Sequence, residues 1–589
     1  MNKLFLYAAI IIIIGFFCTA CKKNFSEESF TETINPTIPD FTTQINASVN
    51  GFITDENGNA VAGATIKGGL ATVTSDQFGY FKIYTAAFAK TAGFVQVTKP
   101  GYFTGYRTFL PIEGKQTFIR LQLIPKTNAG NIDAATGGTV TTADGAKITL
   151  SANAVVTAAT NTAYTGTVNV AAHWLNPSEV KKTQLTMPGD LRGIDSLGYL
   201  KVLVTYGMLA VELTGSAGEL LQIAPGKKAS LRFPIPTALS ATAPASINLW
   251  YFDETKGLWK QEGNAVKNGN SYDGNVSHFS YWNCDVGMPL VNFTIQIVNT
   301  TLNPLSNVPV AVSISGQPLP ARIAYTDTSG IVTGMVPANS NLLIEIISPC
   351  NERITINTVS TANDPVDLGT VPITLNQYGA VLEGAVTKCN GSPVTDGYVL
   401  VGGFGLNSII EINNGFFSAA AIICPGDNSA IIAYDRETSQ QSDVRNITLS
   451  TGTNNIGNLQ ACTASGTDSI SITLSNGGRY IYTLPQYLFG GNFYFSNDST
   501  AINAIDLLNG NQQKVQFSFT GPAMTGLYPL SGNSLSSEVG TFLFTDNVFV
   551  NVTSYGLIGQ YITGSFTGHP FGWPPDFTCT VRFHIQRDQ

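Results

Sequence analysis

The sequence predicts an all-β protein built as a string of tandem β-sandwich domains. Three observations carry that expectation. Short runs rich in Val, Ile, Thr, Phe and Tyr recur along the chain, set apart by Asn-Gly, Asp-Gly and Pro-containing turns. Glycine and proline, 58 and 28 residues, are spread over the whole length, which excludes a coiled coil or a long helical bundle. Only 12% of residues are charged, and stretches with helical periodicity are few, so a highly charged disordered chain is excluded as well. At 589 residues, against a typical domain of roughly 150, there is room for about four domains with cores of their own. A net charge of −8 without a long basic run argues against nucleic acid as a partner.

The N-terminus sets the destination. Met1 to Lys3 is a short basic start, Leu4 to Phe17 is an uncharged apolar run, and Cys18-Thr19-Ala20-Cys21 follows. That order is a secretory signal peptide, its core too short for a spanning helix of about 20 residues. A small residue directly before cysteine resembles the lipobox of bacterial lipoproteins, although Cys18 stands where that family usually has leucine. The resemblance implies that residues 1–20 are removed and that Cys21 carries the lipid. Residue 22 is Lys, not the Asp that keeps many Gram-negative lipoproteins in the inner membrane, which points to outer-membrane anchoring with the chain periplasmic or surface-exposed. Residues 21–44 have the Ser, Thr, Glu and Pro content of a solvated tether.

From residue 45 the chain alternates. Val49-Asn50-Gly51-Phe52-Ile53-Thr54-Asp55, the turn Glu56-Asn57-Gly58-Asn59, and Ala60 to Ile66 form a hairpin pattern whose Asn-Gly tolerates positive φ. With Thr74-Ser75-Asp76-Gln77-Phe78-Gly79-Tyr80-Phe81 and Lys99-Pro100-Gly101-Tyr102, residues 45–126 resemble the carboxypeptidase regulatory-like domain, a transthyretin-like sandwich. The resemblance implies a binding or spacer module. The same spacing returns at Gly384, Gly391, Val394 and Val399, with Asn414-Gly415-Phe416-Phe417 in the part of Phe78 to Phe81, so residues 375–464 form a second copy. A fainter one lies in 287–374, where Val308-Pro309-Val310 and Thr326-Asp327-Thr328-Ser329-Gly330 echo two landmarks that any β-sandwich could supply.

Residues 127–286 differ. Gly137-Gly138-Thr139-Val140 and Ala146 to Leu150 resemble the opening of the β-domain shared by netrin receptors, ankyrins and tight-junction scaffolds. Leu249 to Asp253, Gly257-Leu258-Trp259 and Val276 to Asn283 resemble cartilage intermediate layer protein. Both resemblances imply an extracellular interaction module. Asn176 to Leu197, with its charges and Pro-Gly, reads as an exposed loop or insertion. The last segment, 465–589, is rich in Tyr and Phe and ends in two alternating runs, 559–568 and 579–585, that suggest paired strands with one wet face.

Chemistry is sparse. No Gly-x-Ser-x-Gly and no His-Glu-x-x-His occurs, and His173, His278, His569 and His584 carry no nucleophile signature. Asp55 to Asn59 lacks the carboxylate that a calcium loop would need at Ile66. Trp250, Tyr251, Trp259 and Trp573 could stack on sugar rings if exposed. Neither a metal nor a cofactor is expected. Six further cysteines in an oxidising compartment permit disulfides: at least one bridge is expected among Cys350, Cys389, Cys424 and Cys462, with Cys389 and Cys424 as the leading pair and buried free thiols as the competing reading. The expectation is a non-catalytic envelope lipoprotein that holds to the membrane through its anchor and binds a protein or envelope component, or alternatively binds glycan for nutrient uptake.

Overall fold

The computed structural model describes residues 37–587 apart from 318–320, 349, 351, 375–378, 403–407, 425, 427, 439, 465–468, 476–478, 484–486, 495–497, 507–511, 538–539 and 556–560. The signal peptide and Cys21 lie outside the described residues. The chain forms two compact units, one reaching residue 437 and including 442–461, the other 438–441 with 462–589.

In the first unit one seven-strand sandwich is built three times. Gln44–Thr54 is the middle of a three-stranded sheet, antiparallel to Tyr80–Ala89 and parallel to Gln116–Gln122. Its companion sheet runs Ala71–Thr74, Thr65–Gly68, Gly93–Thr98, Gly105–Phe109. Leu290–Asn299 has the same place between Ile331–Pro337 and Val366–Ile373, with Arg322–Tyr325, Pro309–Ile314, Asn341–Ile347 and Arg353–Ser360 opposite. Gly379–Lys388 repeats it between Phe416–Ile422 and Gly452–Ala461, facing Ser408–Glu411, Gly397–Gly402, Asn428–Asp435 and Arg445–Thr448.

Local chemistry explains why the first two copies fold alike. Asp55 Oδ1 accepts from the N–H groups of Asn57 and Asn59, and Asn299 Oδ1 accepts from those of Thr301 and Asn303, closing the same turn. Ser75 Oγ accepts from Ala64 N and donates to Val61 O; Thr326 Oγ1 does the same with Val308 N and Leu305 O. Asp76 and Asp327 each accept two backbone N–H bonds across a tight turn. That turn needs glycine: at Gly79 (φ 70°) and Gly330 (φ 74°) a Cβ would fall 2.3 Å from the carbonyl oxygens of Ile53 and Ile297 respectively.

Residues 128–288 form one thirteen-stranded sheet that folds over a core including Tyr206, Phe233, Tyr272 and Trp282. The stretch Asn176 to Leu197, expected as an exposed loop or insertion, is an insertion, and it packs against its neighbours rather than lying exposed. It contains the short helix Val180–Thr186 and the strand Arg192–Ile194, and Met187, Leu191 and Arg192 are buried. Its apolar positions are too few to show a period, so only the neighbouring surface reveals what they cover.

The second unit packs a six-stranded sheet on a five-stranded one around Ile472, Phe517, Phe519, Ile562 and Phe583. Tyr561–Gly568 pairs antiparallel with Cys579–Gln586, and burial alternates along both.

Cys424 is bonded to Cys350, with Cα atoms 5.5 Å apart, and not to Cys389. The register gives the reason. Gly379 pairs with Ile422 and Ala385 with Phe416, so Cys424 lies beyond one end of the ten-residue strand and Cys389 beyond the other. That is roughly 30 Å at the rise of a strand, far outside disulfide reach. Cys389 and Cys462 are also disulfide-bonded, whereas Cys284 and Cys579 are buried free thiols.

Candidate functional site

Two features of the first unit bring together residues far apart in sequence. The first is a clasp between the first and last copies of the sandwich. Phe52, Tyr80 and Phe118 pack with Tyr398, Leu400, Ile409 and Tyr434. Polar groups are threaded through this apolar contact. Tyr398, fully buried, donates its hydroxyl to Asp76 Oδ2 at 2.6 Å. The Tyr80 hydroxyl donates to Glu411 at 3.2 Å, and the same carboxylate meets Lys82 at 3.0 Å and Arg436 at 3.1 Å. Arg436 also pairs with Asp396 at 2.7 Å, its guanidinium 5.4 and 5.2 Å from the ring centres of Tyr80 and Tyr398. Burial pushes the Asp76 carboxyl up to about 6 against the lowering effect of its hydrogen bonds. The ion pairs are partly exposed and contribute little each; the aromatic contact supplies most of the docking and the hydrogen bonds fix its register.

The second feature is a cavity of about 680 Å³ where the first sandwich, the Asn176–Leu197 insertion and the second copy of the sandwich meet. Phe118, Phe293, Val310, Val332 and Met335 supply apolar wall. Arg107, Arg120, Arg192 and Arg322 line it, and the exposed Lys115, Lys181 and Lys182 stand on its border. Three carboxylates face these seven cations, those of Glu56, Asp190 and Asp327. Asp190 is engaged with Arg192 Nε at 2.7 Å, and Asp327 Oδ1 with the N–H groups of Ser329 and Ile331. Arg107 donates to Leu185 O and Gly189 O at 2.9 and 3.2 Å, and Arg192 donates to Thr91 O at 2.6 Å. The guanidinium of Arg120 sits 5.2, 5.0 and 5.4 Å from the ring centres of Phe52, Phe118 and Tyr325. Burial lowers Arg107 and Arg322 to about 10, still cationic at neutral pH.

The aromatic residues that the sequence offered for sugar stacking mostly do not reach solvent. Trp250 and Trp259 are 0% exposed and belong to the core under the insertion, where Trp250 Nε1 donates to Asp285 O. Tyr251 is half-buried against His278 and Trp282. Trp573, 48% exposed and stacked on Phe577, is the one that meets solvent. Burial lowers the imidazoles of His173 and His278, and brings His584 to about 4. His569 Nδ1 lies 3.0 Å from Asp546. Ser277 Oγ is 3.3 Å from His278 but donates to Glu262 at 2.6 Å, so the hydroxyl lies between acid and imidazole, the wrong order for an activated nucleophile. Asp55 is spent on its own turn. Among the described residues no group of three His, Cys, Asp or Glu is placed to hold a metal ion, and no helix is long and apolar enough to cross a membrane.

No protein-family model matches the chain, and no curated protein matches it. Solved structures with some likeness include the shaft pilin SpaA from Lactobacillus rhamnosus GG, at 8% identity, 30% of this chain, 98% of that chain and a TM-score of 0.15. A streptococcal ancillary pilin is 9% identical over 38% of this chain and 95% of its own, with a TM-score of 0.13. The Bacillus anthracis TIE protein is 10% identical over 60% and 72%, with a TM-score of 0.14. TM-scores this low carry no functional argument. The class is defined by the chain's own strands: an all-β protein of tandem β-sandwiches.

Proposed function

We propose that this chain is a non-catalytic cell-envelope lipoprotein, anchored in the outer membrane through lipid on Cys21, that presents its sandwiches as a surface binding or structural interaction module for a protein or envelope component. The observation that carries the reading is the clasp. Three copies of one sandwich are tied together by Tyr398 to Asp76, Lys82 and Tyr80 to Glu411, and the Cys350–Cys424 bridge, which suits a rigid support better than a string of freely moving beads. We assign the copies at 45–126 and 375–464 to the carboxypeptidase regulatory-like type on their shared turns and spacing, and place module boundaries near 127, 286, 375 and 465. Cys21→Ala is expected to release the chain from membranes on cell fractionation; retention with Met1 still in place would overturn the anchoring.

A second reading, glycan capture for nutrient uptake, is favoured by one observation: Phe571 and Trp573 are 74% and 48% exposed on one loop of the second unit. A glycan array with the soluble chain from Ser26 separates the two. Absence of saturable sugar binding supports the interaction module, and saturable binding lost in Trp573→Ala establishes the second reading instead.

A further inference from the structure

The clasp and the anchor leave the basic cavity unexplained. Its volume, about 680 Å³, lies within the range of about 300–1,000 Å³ that holds small-molecule ligands. Its walls are apolar, yet seven cations line it against three carboxylates, two of which are committed to Arg192 and to a backbone turn. Asp190 sits against Arg192, and backbone carbonyls hold Arg107 and Arg192 in place, so the remaining cations of the lining have no carboxylate in the cavity beyond Glu56 and Asp327. Enclosed cations in excess of carboxylates are costly in an apolar setting, and a carboxylate, phosphate or sulfate brought into the cavity offsets that excess.

We propose that the cavity binds a small amphiphilic organic anion, its single acidic head lying among the arginines and lysines of the lining and its apolar body against Phe118, Phe293 and Met335. The exposed Lys115, Lys181 and Lys182 draw the head inward, an effect that salt weakens. The inference stands apart from the anchoring and interaction reading: a soluble chain tests it, whatever the partner.

The test is titration calorimetry on the soluble chain from Ser26, which keeps every described residue. Dodecanoate and dodecyl phosphate are titrated below their micelle concentrations, with acetate as a head without a body and dodecyltrimethylammonium as the same body with a cationic head. The expected result is saturable one-to-one binding of at least one dodecyl anion, with the cationic analogue and acetate each about tenfold weaker or more. Gly334 lines the cavity, and a Cβ there meets nothing within 4 Å, so a side chain at this position starts out into open space. A folded Gly334→Trp should abolish binding. Lys181→Glu with Lys182→Glu, both exposed, should weaken binding and flatten its salt dependence, and this pair decides the matter if the tryptophan variant does not fold. Absence of heat with both dodecyl anions, equal affinity for the cationic analogue, or full binding in a folded Gly334→Trp overturns the proposal.

Discussion

Replacing Tyr398 by Phe removes one hydroxyl from the clasp and leaves the ring where it is. The phenyl group keeps its neighbours, Tyr80 and Tyr434 at 4.7 and 5.3 Å between ring centres. What is lost is the 2.6 Å bond to Asp76. A hydrogen bond to an ionised group contributes about 1.5–3 kcal/mol, and one between neutral groups about 0.5–1.5 kcal/mol. Burial places the Asp76 carboxyl at about 6, above its ordinary 3.8. The cost of Tyr398→Phe should therefore be the larger figure at pH 7.5, where Asp76 is ionised, and about half that at pH 5, where it is mostly protonated. Asp76 itself carries the opposite sign from an ordinary ion-paired carboxylate. Because the folded state holds its proton more tightly, the group disfavours folding above about pH 6 and is relieved as pH falls toward 4. Hydrogen exchange read by mass spectrometry, corrected for the intrinsic effect of pH, reports on Tyr80–Ala89 and Asn428–Asp435 in the full chain. In the variant at pH 7.5 both strands should exchange about ten- to a hundredfold faster, with a smaller change at pH 5. Unchanged exchange at pH 7.5, or the same change at both pH values, would refute the reasoning.

Gly79→Ala and Gly58→Ala should differ sharply although both residues have positive φ. A Cβ at Gly58 meets nothing within 4 Å, so that variant costs about 1–2 kcal/mol of backbone strain, whereas at Gly79 it strikes Ile53 O and should cost about 3 kcal/mol or more; equal shifts of the first thermal transition would count against the turn's role. His584, stacked on Tyr561 at 4.1 Å and held at about 4 by burial, binds its proton less readily than the unfolded chain does near 6.5. Its contribution is therefore present above pH 6.5 and lost as pH falls toward 4. Exchange protection in Tyr561–Gly568 and Cys579–Gln586 should drop by about 1–2 kcal/mol over that range and do so less in His584→Gln, an identical pH response in the variant being the outcome that sinks the assignment.

The first and last copies of the sandwich were legible because their signal is local: a turn glycine at 58 or 391 and alternation on either side of it. The middle copy was faint for an equally local reason. Leu302, at φ 63°, takes the place of that glycine, and 28 residues separate it from Gly330 where 21 separate Gly58 from Gly79. The fold repeats even so, because the hydroxyl bridge of Thr326 and the paired N–H bonds of Asp327 restore what Ser75 and Asp76 supply. The clasp and the cavity were not legible. Asp76 and Tyr398 are separated by 322 positions, and no periodicity reports a contact between modules. The burial of Trp250 and Trp259 fits their place in sandwich strands, but what covers them was not legible, since Met187 and Leu191 belong to a stretch whose charges suggested a loop.

Burial along the strands shows what the modules do for one another. In the second unit Ser499–Asp506 and Tyr561–Gly568 keep strict alternation, one face inward and one toward water. In the first unit Gly105–Phe109, Tyr281–Met288 and most of Leu200–Thr214 are buried on both faces. The outer face of such a strand would be wet in an isolated sandwich, which is why Arg107 can stand on Gly105–Phe109 at all. Its acceptors, Leu185 O and Gly189 O, belong to the insertion of the neighbouring domain. Packing the modules thus encloses arginines that each sandwich alone would leave in water, and the carboxylates enclosed with them are too few to neutralise them. The positive cavity is a property of the assembled first unit, and no single repeat carries it.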